Sequence, residues 1–182
     1  ELLVYFLIEA VLQAPQILKK MPLTTNPNEE RKGSDGVHIR WVGEENTLEI
    51  IFAEAKLYKD FAAALTSAFV SMTDFHNSAA KGLEVNYFLN TFSFLTADQQ
   101  AVVASYVEGE NKGNCQEVHV CLIGHTWEAY DCLTTKEKQS FLAEFEDRYL
   151  AWAHETMKPK LDVHLEAFPH SHLRFEFFFL PL

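Results

Sequence analysis

The tripeptide Glu-x-Lys occurs three times in this chain, at Glu30 to Lys32, Glu54 to Lys56 and Glu110 to Lys112. Glu30 and Glu110 lie in polar runs broken by Gly, Asn and Pro, where charges are simply solvated. Glu54 and Lys56 instead continue the apolar row Leu48, Ile50 and Phe52, because side chains two apart on a strand share a face. Ions at the end of a row of core residues cost free energy unless something compensates them. Either the strand end emerges into water there, or charged groups gather around it. The preceding apolar stretch offers such a group. Asp35 shares a face with Val37, Ile39 and Trp41, and if Trp41 pairs with Leu48 across the intervening GEEN, Asp35 stands opposite Glu54. Their β-carbons are then about 5 Å apart. A slip of one residue sends Asp35 to the other face and misaligns both apolar rows, so the hydrophobic pattern itself selects the paired register.

Facing carboxylates repel unless a cation lies between them, and a hard divalent ion such as Mg²⁺ takes carboxylate and water oxygens. An ammonium beside that ion can orient or help deprotonate a water and can stabilise charge on a phosphate. Asp35, Glu54 and Lys56 therefore form a candidate catalytic set for metal-assisted phosphodiester hydrolysis, with Mg²⁺, or Mn²⁺ in its place, as the cofactor.

The elements that must position this set follow from periodicity. Glu1 to about Gln13 is apolar nearly all round, which predicts a helix packed in a core and stopped by Pro15. A short extended stretch, Gln16 to Leu23, precedes the polar loop Thr24 to Ser34. Val37 to Val42 and Thr47 to Lys56 alternate as the two strands of a hairpin. Tyr58 to Phe75 keeps Phe61, Leu65, Ala68 and Met72 on one helical face. After a less regular region from Gly82, Thr96-Ala-Asp-Gln is a capped helix start, with the helix running to about Val107 and the polar loop Gly109 to Asn114 ending it. Glu117 to Ile123 alternates as a strand, Thr134 to about Lys158 forms a long helix striped by Phe141, Phe145, Tyr149 and Trp152, and His172 to Leu180 closes as a strand. The order predicts a mixed α/β fold, a central sheet flanked by helices. No repeat or long linker divides the chain, so residues 1–182 read as a single domain, and the abrupt apolar start reads as the C-terminal part of a longer chain.

Composition bounds the possibilities. With 182 residues, 48% hydrophobic and 13% aromatic, and only 7 Gly and 6 Pro, the chain is neither disordered nor low-complexity. A net charge of -11 argues against gripping nucleic acid by bulk electrostatics, since such binding releases counterions from phosphates to a basic surface. Any nucleic acid contact is then local or supplied by a partner. The opening ELLVYFLIEAVL holds two carboxylates and is shorter than the roughly 20 residues a membrane span needs. Cys115, Cys121 and Cys132 form no CxxC pair and read as free thiols of a reducing compartment.

Asp, a hairpin, Glu-x-Lys at the end of its second strand, then a helix: this order is similar to the PD-(D/E)xK restriction-endonuclease-like core, which runs helix, three strands, helix, strand. Ser34 stands where the leading Pro of that signature would be. Longer strings narrow the resemblance. GSDGVHI from Gly33, IIFAEAKLYKDFAAAL from Ile50, VHVCLIGH from Val118 and FEFFFLPL from Phe175 together resemble the family of the HamA effector of the Hachiman anti-phage defence system. The resemblance implies a cytoplasmic nuclease of a prokaryotic cell that degrades DNA beside a helicase partner, HamB, with no membrane association. It places Asp35, Glu54 and Lys56 at the family's catalytic positions. It also implies metal contacts from Asp35, Glu54, the backbone carbonyl of Ala55, and a first-helix Glu, for which Glu1 is preferred over Glu9.

Other readings are weaker. His170 and His172 form a His-x-His pair that could bind zinc, but the sequence shows no third ligand nearby. His119 and His125 flank a strand and read as a core or edge pair. The row Phe175, Phe177, Phe178 and Phe179 must face both sides of a sheet and reads as a buried strand rather than a base-stacking platform. No GxSxG, HExxH, GxGxxG or Walker A string is present. Two further function classes remain: a nuclease-fold subunit that binds and regulates a helicase with little or conditional catalysis, and an acidic mimic of DNA, which the aligned lysine disfavours.

Overall fold

Apolar alternation builds the centre of the molecule. In the computed structural model, which describes residues 2–19, 34–43, 47–77, 96–108, 115–133, 138–170 and 172–182, strand β2 (Gly36–Val42) pairs antiparallel with β3 (Thr47–Tyr58). Trp41 faces Leu48 and Gly36 faces Ala53, so the register is the one that aligns both apolar rows. β1 (Gln16–Lys19) adds antiparallel to β2, while β4 (Cys115–His125) and β5 (Arg174–Pro181) add in parallel beyond β3, giving the mixed order β1-β2-β3-β4-β5. The chain order of helix, three strands, helix, strand agrees with an α/β nuclease-like core. The polar stretch 24–33, residues 44–46 of the hairpin loop, the region 82–95 and the loop 109–114 fall outside the described residues.

Both faces of the sheet are covered. Helix α2 (Phe61–Asn77) begins at Asp60, whose carboxylate accepts from the Ala63 N–H at 2.7 Å and caps the first turn. Its Phe61, Leu65, Ala68, Phe69 and Met72 pack on Cys121 and Ile123 and on the β5 row Phe175, Phe177 and Phe179. Farther along the same face, Phe75 joins Val37, Ile39, Leu48, Ile50 and Phe52, together with Val103 of α3 (Ala97–Val107). Thr96 and Gln99 make the reciprocal capping box of α3. Each fully buried aliphatic or aromatic side chain here contributes about 1.5–3 kcal/mol.

Helix α1 (Leu2–Val11) covers the opposite face with Val4, Tyr5 and Ile8, against Ile51, Ala53, Val118, Val120 and Leu122. It is not buried all round, as its sequence suggests: Leu2 and Phe6 are 72% and 64% exposed. Packing on a flat sheet can cover only one stripe of a helix.

The long helix expected near the C-terminus forms, with one widened turn in it. α4 (Lys138–Trp152) passes through a widened π-turn, Ala153–Met157, into α5 (Lys158–Ala167). Pro159 explains the widened turn: without an N–H it cannot bond the Glu155 carbonyl, and the Lys158 N–H reaches back five residues to Ala153. The Phe145, Tyr149 and Trp152 stripe still forms, stacking around Trp127 and His125. Phe178 alone of the β5 aromatics faces the α1 side. On that side a charged network crosses the sheet, with buried Glu49 between Arg40 and Arg174, and Glu176 beside both arginines. Arg40 also donates to the Leu12 carbonyl past the end of α1 at 2.8 Å. Among the described residues no helix is long and apolar enough to cross a membrane.

Candidate active site at the end of strand β3

The paired residues of β2 and β3 end at Gly36 and Ala53, and Asp35 lies just before them, with its charge acting on Glu54. The Asp35 N–H donates at 2.8 Å to the carbonyl of Ala53, the residue that also faces Gly36. Its carboxylate then turns back to accept from the Ala55 N–H, also at 2.8 Å. Because N–H and C=O of one residue leave a strand on the same edge, the Ala55 carbonyl points to this edge as well. The Tyr5 hydroxyl of α1 donates to the Asp35 carbonyl at 2.6 Å, so the N-terminal half of α1 is anchored at this end of the sheet.

Glu54 is buried, at 8% exposure, and pairs with the Lys56 ammonium at 2.6 Å. Burial, reinforced by the charge of Asp35, pushes the Glu54 carboxyl above its ordinary value; hydrogen bonds from Lys56 and from Ser71 of α2 oppose that rise. Burial pulls Lys56 down, but its bond to Glu54 and the charges of Glu54 and Asp35 outweigh this and hold the ammonium above its ordinary value. Lys56 is therefore charged at neutral pH. Beneath the pair lies Cys121 of β4, directly in register with Glu54, fully buried against the Met72 sulfur; burial pushes its thiol well up. A protonated thiol there is a soft floor, with no charge to compete for Lys56.

Asp35, Glu54 and Lys56 are thus brought together, with the Ala55 carbonyl on the same edge. Glu1 lies outside the described residues. Glu9 is exposed, two helical turns from the start of α1, and its charge acts on His38, farther along β2. Tyr5 and Ser71 carry weak signals in the sequence: a hydroxyl-bearing aromatic in a largely apolar helix and a small polar residue beside buried Met72. Among the described residues no group of three or more His, Cys, Asp and Glu side chains is preassembled to hold an ion, so the two carboxylates are the acidic donors on view.

Away from this edge, His170 stands against His76 at the end of α2, with ring centroids 4.8 Å apart. His76 Nε2 is 2.7 Å from His119 Nε2. The His-x-His pair therefore has a histidine neighbour on α2, which in turn meets one on β4, and sequence separation conceals both. His125 is buried against Trp152 and near the Tyr149 hydroxyl, a core residue as expected.

No curated protein and no solved structure matches this chain. A family model, HamA, matches residues 1–182, the whole length, and the chain accordingly belongs to the HamA family of the Hachiman anti-phage defence system.

Proposed function

We propose that this chain is a Mg²⁺-dependent deoxyribonuclease, the effector of its defence system, acting beside the helicase HamB. The observation that carries the reading is the gathering of three charged groups at one place: the Asp35 carboxylate on the Ala55 N–H at 2.8 Å, its charge acting on buried Glu54, and Lys56 2.6 Å from Glu54. A buried carboxylate whose neighbour is a second carboxylate is under-compensated by one ammonium, and a hard divalent ion suits that donor set. Asp35, Glu54 and the Ala55 carbonyl would hold Mg²⁺, which when bound polarises a phosphate and a nearby water.

The chain's own residues supply the rest. Asp35 is oriented before any substrate arrives, since the Ala55 N–H and the ladder bond to Ala53 fix it. Lys56, charged at neutral pH, orients the attacking water and stabilises negative charge growing on the phosphate; its raised pKa makes it an electrostatic group rather than a base. Substrate approach is another matter. A chain of net charge -11 meets DNA slowly on its own, so delivery by a DNA-bound helicase fits the electrostatics. The same charge favours a second reading, in which the chain mainly binds and restrains the helicase and its chemistry is conditional.

The test is cleavage of plasmid and single-stranded DNA with Mg²⁺ or Mn²⁺ against EDTA, for the wild type, Glu54→Ala and Lys56→Ala, each alone and with the helicase. Metal-dependent cutting lost in both variants supports the nuclease. No cutting under any condition, with helicase binding intact, moves the reading to the interaction subunit.

A further inference from the structure

A second cluster of side chains lies at the C-terminal end of α2. His76 closes that helix, His119 is on β4 in register with Phe52, and His170 precedes β5. The His76 and His119 Nε2 atoms are 2.7 Å apart, their ring centroids 4.9 Å, and the His76 and His170 centroids 4.8 Å. His170 Nε2 is buried and has no hydrogen-bond partner among the described residues. The other nitrogen of His76, Nδ1, faces Glu117 at 3.9 Å, and Glu117 is held by the Tyr106 hydroxyl of α3 at 2.6 Å.

We propose that His76 and His119 bind a borderline divalent transition ion, with Zn²⁺ as the type, and that His170 closes on it as a third ligand. Two imidazoles on one tetrahedral ion, with Zn–N near 2.05 Å, have nitrogens about 3.3 Å apart and ring centres about 5 Å apart. The ring separations already match; the nitrogens need to part by about 0.6 Å. An ion between them replaces the contact of two nitrogens that otherwise must share a proton. The buried, unpartnered nitrogen of His170 gains a partner by the same event. Glu117 is placed as the carboxylate that orients a ligating histidine through its second nitrogen, and Tyr106 fixes that carboxylate in turn. Imidazole donors select Zn²⁺, Co²⁺ or Ni²⁺ over Mg²⁺, which separates this site chemically from the carboxylate pair at Asp35 and Glu54. Because no set of three ligands is preassembled among the described residues, the ion completes the site and thereby staples the end of α2 to β4 and to the segment entering β5.

The test is Zn²⁺ titration of the metal-free full chain by calorimetry, with Co²⁺ absorption as a geometric readout and thermal melting in parallel. One Zn²⁺ should bind per chain and raise the melting temperature, and Co²⁺ should give the intense visible bands of tetrahedral coordination. His76→Gln and His119→Gln should each weaken binding at least a hundredfold. His170→Gln and Glu117→Gln should weaken it at least about tenfold. The double variant Asp35→Asn/Glu54→Gln should bind Zn²⁺ as the wild type does. If the buried His119 variant misfolds, His76→Gln and His170→Gln carry the test, with circular dichroism confirming their fold. Absence of saturable Zn²⁺ binding overturns the proposal, as does binding that survives unchanged in His76→Gln and His170→Gln.

Discussion

Replacing Lys56 by Met tests the electrostatics of the candidate active site apart from its chemistry. The substitution keeps the stem of the side chain and deletes the ammonium 2.6 Å from Glu54. At an effective dielectric constant of 20, charges at that separation attract by about 6 kcal/mol, much of which the desolvation of both ions offsets. Removing one member of a fully buried pair costs about 3–5 kcal/mol, because the other charge is left uncompensated. Lys56 is 22% exposed and Glu54 11%, so water relieves part of that and the expected loss at pH 7.5 is about 2 kcal/mol. A domain of this size should then melt about 4–8 °C lower.

The pH dependence carries the sharper signature. The folded-state pKa of Glu54 lies above its ordinary 4.5, so its favourable contribution is present below that value and lost as pH rises through the raised one. Without Lys56 the folded value rises further. The gap between wild type and Lys56→Met should therefore be wide at pH 8 and narrow toward pH 5, as Glu54 takes up a proton in the variant first. Mg²⁺ should raise the melting temperature of the variant more than that of the wild type, since the carboxylate pair has lost its resident cation. Melting curves from pH 5 to 8, with Mg²⁺ or EDTA, measure all of this. Equal stabilities at pH 7.5, or a gap that widens on acidification, would refute the assignment of Lys56 as the counter-charge of a buried Glu54.

Four other outcomes follow. Glu54→Gln should abolish DNA cleavage while leaving the melting temperature at pH 7.5 unchanged or higher, because a buried ionised group is replaced by a neutral one of the same shape; cleavage and melting assays on one preparation check this. Tyr5→Phe should cost about 1–2 kcal/mol, the price of leaving the Asp35 carbonyl without its donor, and should slow cleavage by shifting Asp35; urea unfolding and turnover measure the two effects. Thr96→Ala should lose about 1 kcal/mol by removing the capping box of α3, with cleavage unaffected. Glu49→Gln, which leaves Arg40 and Arg174 with Glu176 as their shared carboxylate, should destabilise by about 1–2 kcal/mol at low salt and less at high salt, as unfolding at two ionic strengths will show.

The hairpin register was legible because apolar alternation has a period of two, and Trp41 does face Leu48. The capping box was legible because Thr96 and Gln99 act within one turn. Strand β4 begins at Cys115, two residues before its alternation suggests, because Cys115 to Glu117 already pair with Leu48 to Ile50 of β3. The π-turn at Ala153–Met157 was readable in principle from Pro159, but the aromatic stripe ends at Trp152 and carries no sign of it. Tyr5, Ser71 and the grouping of His76, His119 and His170 depend on which helix lies over which strand. No local period encodes that, and the three histidines are separated by more than forty residues each.

Helix α2 holds Ser71 against Glu54 and His76 against His119, five residues apart on one rigid rod, or about 7.5 Å along its axis. A helix moves as a unit, so a sub-ångström slide or tilt imposed at the histidine end is transmitted to the hydroxyl that helps keep Glu54 ionised. The two polar clusters therefore share one rigid element, which fixes the distance between them.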